Sequence, residues 1–230
     1  MAVKKSLKKA PGRPKSAPEE TREKLLEAAA ELFAARGLGN VSLAKVAAEA
    51  GVTPAMVHYY FHTKEELVKA VVGERLGRFL HAVMGDGDFD PAEPLEFALG
   101  LIPRLAAAVE ANPWLPGLWV REVISDHGAL REHMFELLPK DLFARLSASF
   151  SEGVKKEKYS SEVDPHLLLF SAITNYLLPL AARGIVERLP GVGPLTPDRL
   201  IRHAQAVLRH GYSAPPAPET GTPRPKRSRP

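Results

Sequence analysis

Ser42-Leu-Ala-Lys-Val-Ala-Ala-Glu-Ala-Gly-Val-Thr-Pro-Ala-Met-Val-His-Tyr-Tyr-Phe-His-Thr-Lys-Glu-Glu-Leu67 decides the fold of this chain. Ser42 is a favourable helix N-cap, and Leu43, Val46, Ala47 and Ala50 then recur at helical spacing on one apolar face. Gly51 follows that face directly, where a helix commonly ends in a left-handed residue. Thr53 caps a second helix with Pro54 at its first position, and Val57 and Tyr60 continue its apolar side. Thr63-Lys64-Glu65-Glu66 has the form of a capping box and opens a further helix. Small Ala47 lets two helices approach, Gly51 turns the chain, and Val57 locks the second helix onto the first. This is the pattern of a helix-turn-helix, whose second helix enters a DNA major groove by its N-terminal half. The plain alternative is a helical hairpin within an all-α domain.

The residues after the turn decide between the two. Val57-His58-Tyr59-Tyr60-Phe61-His62-Thr63-Lys64-Glu65-Glu66-Leu67 resembles the signature of the TetR/AcrR family of bacterial regulators, and Thr21 to Phe33 with Arg36-Gly37 resembles that family's first helix. The resemblance spans residues 18 to 70. It implies an all-α fold: an N-terminal three-helix helix-turn-helix domain followed by a larger α-helical domain that binds a ligand and dimerises. It also implies roles by position. Ser42 and Lys45 are expected at the sugar–phosphate backbone or groove edge. Thr53, Pro54, Ala55 and Met56 are expected to face bases, and His58, Tyr59 and Lys64 to hold phosphates. Met56 departs from the small hydroxyl residue often found there. Pro54, Ala55 and Met56 bring no hydrogen-bond donor, so they can touch thymine methyl groups but cannot make bidentate base contacts. Shape readout is expected to carry much of the specificity.

Composition sets the frame. The 230 residues are 45% hydrophobic, enough for one large or two small domains with a real core, and contain no cysteine. That excludes disulfides and thiolate metal sites and fits a reducing cytoplasm. The first fifteen residues hold Lys4, Lys5, Lys8, Lys9, Arg13 and Lys15 without an acid, and the end of the chain holds Arg224, Lys226, Arg227 and Arg229 against Glu219. Together these tails exceed the formal net charge of +4, so the body between them is mildly acidic. Basic arms on such a body suit a polyanion, although tails of this kind also serve solubility alone. Pro11-Gly12-Arg13-Pro14-Lys15 resembles an AT-hook core, and Arg13 is expected in an A/T-rich minor groove beside each half-site. The N-terminus lacks the apolar core of a secretory signal. The longest uncharged apolar run, Leu167 to Ala182, is shorter than the roughly 20 residues of a membrane span.

The expected organisation is a disordered basic arm over 1–15, the helix-turn-helix domain over 16–70, an α-helical effector-binding and dimerisation domain over 71–213, and a disordered basic tail over 214–230. Helices are expected to reach Arg36 from residue 16, to run from Thr63 past Leu80, and to cover Leu95 to Ala111 with a kink at Pro103. Others are expected over Trp114 to Ser125, Ala129 to Phe150, Asp164 to Arg183, and Thr196 to near Tyr212. The nearly all-round apolar helix after Asp164 must be buried on more than one side. The resemblance places it with the last helix in a dimer interface, with Leu168, Ile173, Leu177, Leu200 and Val207 as its candidates. Burial in a monomer core is the alternative. Aromatic residues gather in the middle region, where Asn112-Pro113-Trp114-Leu115-Pro116-Gly117 interrupts helical packing. Phe97, Arg104, Trp114, Trp119, His133, Phe143 and Asn175 are the candidate effector-binding residues, with ordinary core packing as the alternative. His127 and His133 are not spaced for one helix face and have no cysteines beside them; His203 and His210 could share a face, with surface or interface residues as the alternative, and no phosphate loop, nucleophile elbow or paired-acid motif occurs.

The expectation is thus a non-enzymatic, sequence-specific DNA-binding regulator, a repressor released from a palindromic operator by a largely apolar small molecule. It is a cytoplasmic homodimer on the nucleoid, with no cofactor, metal or membrane. Two rivals remain: an architectural DNA-binding protein without effector, and an all-α enzyme.

Overall fold

The computed structural model describes residues 17–84, 92–126, 128–138 and 141–214. Arg13 with its AT-hook-like surroundings, Ser16, the Gly85–Asp88 turn, His127, Pro139 and the basic tail lie outside the described residues. Within them the chain is helical, with one isolated antiparallel bridge, Tyr159 to Ser213, instead of strands. No helix among them is long and apolar enough to cross a membrane.

Helix α1 (Ala17–Arg36) ends on Gly37, whose φ of +80° only glycine adopts without strain. A 3-10 turn (Leu38–Asn40) leads to α2 (Leu43–Glu49), and Gly51 at φ +67° turns the chain into α3 (Pro54–Tyr60). Val46, Ala47, Val57, Phe33 and Phe61 are all buried at their junction. Ser42 accepts from the Lys45 N–H, as its N-cap position predicts, whereas Thr53 makes no side-chain cap bond. The expected capping box is displaced. Thr63 Oγ1 accepts from Glu66 N–H, but the Glu66 carboxylate reaches back to His62 N–H at 3.1 Å, one residue earlier than the motif prescribes.

From there one helical run covers residues 64–84: α4 (Lys64–Ala70), a π-helical stretch (Val71–Leu76) and α5 (Gly77–Met84). It joins the small domain to the large one. In the large domain α6 (Pro94–Ala111), α10 (Leu168–Ala181) and α12 (Pro197–Tyr212) pack mutually. Pro103 inside α6 deprives the Leu99 carbonyl of its helical donor, and Gln205 of α12 donates to that oxygen at 3.1 Å instead. Helix α7 (Leu115–Leu118) runs into a second π-helical stretch, Trp119–Ile124. The helix expected over Ala129 to Phe150 is two, α8 (Arg131–Leu137) and α9 (Leu142–Lys155). The apolar helix stops at Ala181, and Gly184 lies inside a short following helix, α11 (Arg183–Val186), rather than closing α10.

The interface candidates divide. Leu168, Leu177 and Leu200 are at most 3% exposed and belong to the chain's own core, because they fill the α6–α10–α12 junction. Ile173 faces the cavity described below, and of the five only Val207 is exposed. The outward face of α10 is carried by Phe170 and Leu178, with Leu167 one turn before them, each half-exposed.

Candidate nucleic-acid interface and effector cavity

The outward surface of α2 and α3 gathers the sequence candidates. Thr53, Pro54, Ala55, Met56, His58 and Tyr59 are all exposed and Lys64 is half-buried at the start of α4. Tyr59 is 76% exposed, standing edge-on to Tyr60 at 5.1 Å, so core packing does not account for it. Lys64 puts a cation in the first turn of a helix, the end where the backbone dipole favours anions. That placement suits a group whose partner is a phosphate. Lys45 Nζ donates to the Asn40 carbonyl at 2.8 Å, and turns toward DNA only by exchanging that bond. Behind this surface, Arg22 lies over the Phe61 ring at 5.3 Å and forks onto Glu74 of the π stretch at 2.5 and 2.6 Å. The fork holds the Glu74 carboxyl below its ordinary range.

The second site is a cavity of about 390 Å³ in the large domain. Phe79, Leu80, Val83 and Met84 of α5 form one wall, and Leu105 of α6 lies beside them. Trp119, Val123 and Ile124 come from the second π stretch, and Arg131, Met134, Phe135, Leu138 and Phe143 from α8 to the start of α9. Leu169, Phe170 and Ile173 of α10 complete it. Of the seven candidates, only Trp119 and Phe143 line it. Phe97 is buried in the core under the Arg104 guanidinium, at 5.6 Å. Arg104 itself donates to the Gly100 and Met84 carbonyls, Asn175 to the Ser171 carbonyl, and His133 lies on α8 outside the lining. The aromatic and polar character that singled these residues out serves helix packing and backbone carbonyls. Phe79 and Met134 escaped the sequence reading because apolar residues at helical spacing look alike whether they face a core or a cavity, and Arg131 because a lone basic residue at a helix start carries no local sign of facing inward.

Trp114 has a different place. Its indole N–H donates to Glu27 of α1 at 2.8 Å, beside Arg75, which pairs with Glu23 at 2.9 Å. It therefore sits at the junction of the two domains. A second tie lies nearby. Glu122, 5% exposed and within the π stretch that walls the cavity, accepts from the Leu38 N–H at 2.8 Å and the Ala129 N–H at 3.3 Å. Leu38 opens the 3-10 turn that leads into α2. No group of three or more metal-capable side chains gathers among the described residues.

Comparison with known proteins supplies the context. The profile described as "Bacterial regulatory proteins, tetR family" matches residues 25–71. The HTH-type transcriptional regulator SrpR of Pseudomonas putida is 40% identical over 57 residues, 25% of this chain and 27% of its own. The HTH-type transcriptional regulator TtgR, also of Pseudomonas putida, is 34% identical over 83 residues, 36% of this chain and 40% of its own. The match thus spans well under half of these curated relatives. Solved structures match more of the chain. HlyIIR, a hemolysin II transcriptional regulator, superposes with TM-score 0.55 and 26% identity over 81% of this chain and 97% of its own. A TetR-family transcriptional regulator from Haemophilus influenzae Rd does so with TM-score 0.55 and 18% identity over 85% and 98%.

Proposed function

We propose that this chain, which belongs to the TetR family of bacterial transcriptional regulators, is a ligand-responsive repressor that leaves a palindromic operator when a small apolar molecule enters the cavity. The observation that carries the reading is the single helical run over residues 64–84. Its first turn presents Lys64 beside the exposed face of α3, and its last turns form a cavity wall through Phe79, Leu80, Val83 and Met84. At 1.5 Å per residue the two ends are about 30 Å apart. A ligand that prefers the wider or narrower wall shifts this rod, and with it the recognition helix, by the difference in its affinity for the two shapes. The Glu122–Leu38 bond gives a second route from the cavity wall to the start of the helix-turn-helix.

A palindrome requires a two-fold dimer whose recognition helices lie about 34–36 Å apart. Leu178 on α10 and Val207 on α12, both exposed and outside the cavity, offer the unpartnered apolar face for it, with half-exposed Phe170 at the cavity's edge beside them. Selection from random duplex DNA is expected to enrich an inverted repeat. Recovery of no shared sequence would favour the architectural reading. Filling the cavity by Ile173→Trp is expected to leave operator affinity within about twofold and to abolish release by ligand. Unchanged release from this variant would move the effector site elsewhere.

A further inference from the structure

The cavity lining is apolar except for the unpaired indole N–H of Trp119 and one charged residue, a cation. Arg131 at the start of α8 is the only charged side chain among the described lining residues, and no carboxylate accompanies it. Its guanidinium is held by two backbone carbonyls: Nε donates to Val123 O at 3.3 Å and Nη2 donates to Ser125 O. Its closest acid is Asp126 at 4.0 Å, whose side chain is fully exposed, so that charge is screened by water. Glu122 is engaged by backbone N–H groups and does not line the space. Nη1 has no partner among the described residues. Carbonyl acceptors fix the direction of the fork without neutralising it, which leaves a preoriented positive charge at the rim of an otherwise apolar space. The Arg131 side chain is 35% exposed, so the charge is partly solvated, and what it offers an anion is a charge-assisted hydrogen bond and not the full attraction of a dry interior.

We propose that the effector is an amphipath with an apolar body and a single anionic head, a carboxylate or its equivalent, seated on Arg131. The proposal rests on the cavity being the effector site. It also says what the site refuses: cationic amphipaths, which need an acid that the lining lacks. A volume of about 390 Å³ lies at the small end of drug-sized ligand pockets, so the body is one chain or a small fused ring and not a large polycycle.

The test is calorimetric titration of the unmodified full chain with matched probes. Dodecanoate, 1-dodecanol and dodecyltrimethylammonium share one body and differ in the head; 2-naphthoate and 2-naphthalenemethanol repeat the comparison with a ring. In at least one series the acid is expected to bind about tenfold or more tighter than its neutral partner, as a hydrogen bond to a charged group implies. The ammonium probe is expected not to bind measurably. The series that shows the preference identifies the body. Arg131→Gln is expected to erase the acid preference while keeping affinity for the alcohol. Equal binding of acid and alcohol in both series, tighter binding of the ammonium, or no binding by any probe would overturn the proposal. So would an acid preference that survives in Arg131→Gln. Operator release is measured in parallel: acids that bind with the expected preference yet leave operator occupied would overturn the effector reading alone and keep the head-group assignment.

Discussion

Lys64 and Glu74 show how single residues carry opposite duties on the same helical run. Lys64 stands at the positive end of a helix dipole, an unfavourable place that a phosphate partner would reverse. Lys64→Ala is expected to weaken binding similarly across DNA sequences and to lower the slope of log affinity against log salt by about 1 per subunit. An unchanged slope would remove Lys64 from the interface. Glu74 faces inward to Arg22, and the hydrogen-bonded fork depresses its folded pKa below the ordinary 4.5. A carboxyl depressed on folding stabilises the protein above its unfolded pKa and loses that contribution as pH falls through the folded value. Both partners are about one-third exposed, which limits the contribution to about 1 kcal/mol. Denaturant midpoints of Glu74→Gln are therefore expected to lie below wild type at neutral pH and to converge with it as pH falls through the depressed folded pKa of Glu74. Parallel curves would assign the loss to packing.

At the scale of elements, α10 separates two kinds of leucine. Leu168 is buried in the chain's own core, whereas Phe170 and Leu178 look outward. Leu178→Glu with Val207→Glu, two exposed positions outside the cavity, is expected to give folded monomers by sedimentation, while Leu168→Glu unfolds the chain, since a lone buried charge costs several kcal/mol. A dimer that survives the double exchange would place the interface on another face. The helices themselves were legible in the sequence because their ends are written locally. Ser42, Thr63 and Thr196 each accept the N–H three residues on, and Pro54, Pro165 and Pro197 open their first turns. The direction of each apolar residue was not legible. Leu168 and Phe170 are two positions apart in one uncharged run, and only the partners chosen by tertiary packing decide which becomes core. The two π stretches were hidden for a related reason: Val71–Leu76 and Trp119–Ile124 continue the helical pattern on either side, and although Gly73 weakens the first, an isolated glycine does not announce an extra residue in a turn. The helix-turn-helix candidates stand out in the sequence because aromatic and basic residues such as exposed Tyr59 and half-buried Lys64 contradict simple burial. The wall of an apolar cavity leaves no such mark.

Across the whole molecule, the two tryptophans of the chain stand at the two ends of the proposed signal. Trp119 walls the cavity, and Trp114 ties the large domain to Glu27 of α1. With Trp114→Phe, ligand is expected to change the remaining fluorescence on binding. With Trp119→Phe, the remaining signal is expected to report the domain junction, and to respond to operator DNA as well as to ligand, because coupling between two sites is reciprocal. Silence of Trp114 toward both partners would leave the α1–α7 junction outside the transmission path. The stretch Trp119–Ile124 has a consequence for how this regulator can diversify. Trp119, Val123 and Ile124 touch the cavity, while Glu122 between them holds the backbone of Leu38. Under the proposed function, chemical specificity and signal transmission are thus interleaved on one short segment yet assigned to different side chains. On that reading, after gene duplication the three cavity positions are free to drift toward a new inducer, while Glu122 is held by the two backbone N–H groups it satisfies from a buried position. Descendants of such a duplication would diverge in what they sense and keep the same wiring to the DNA.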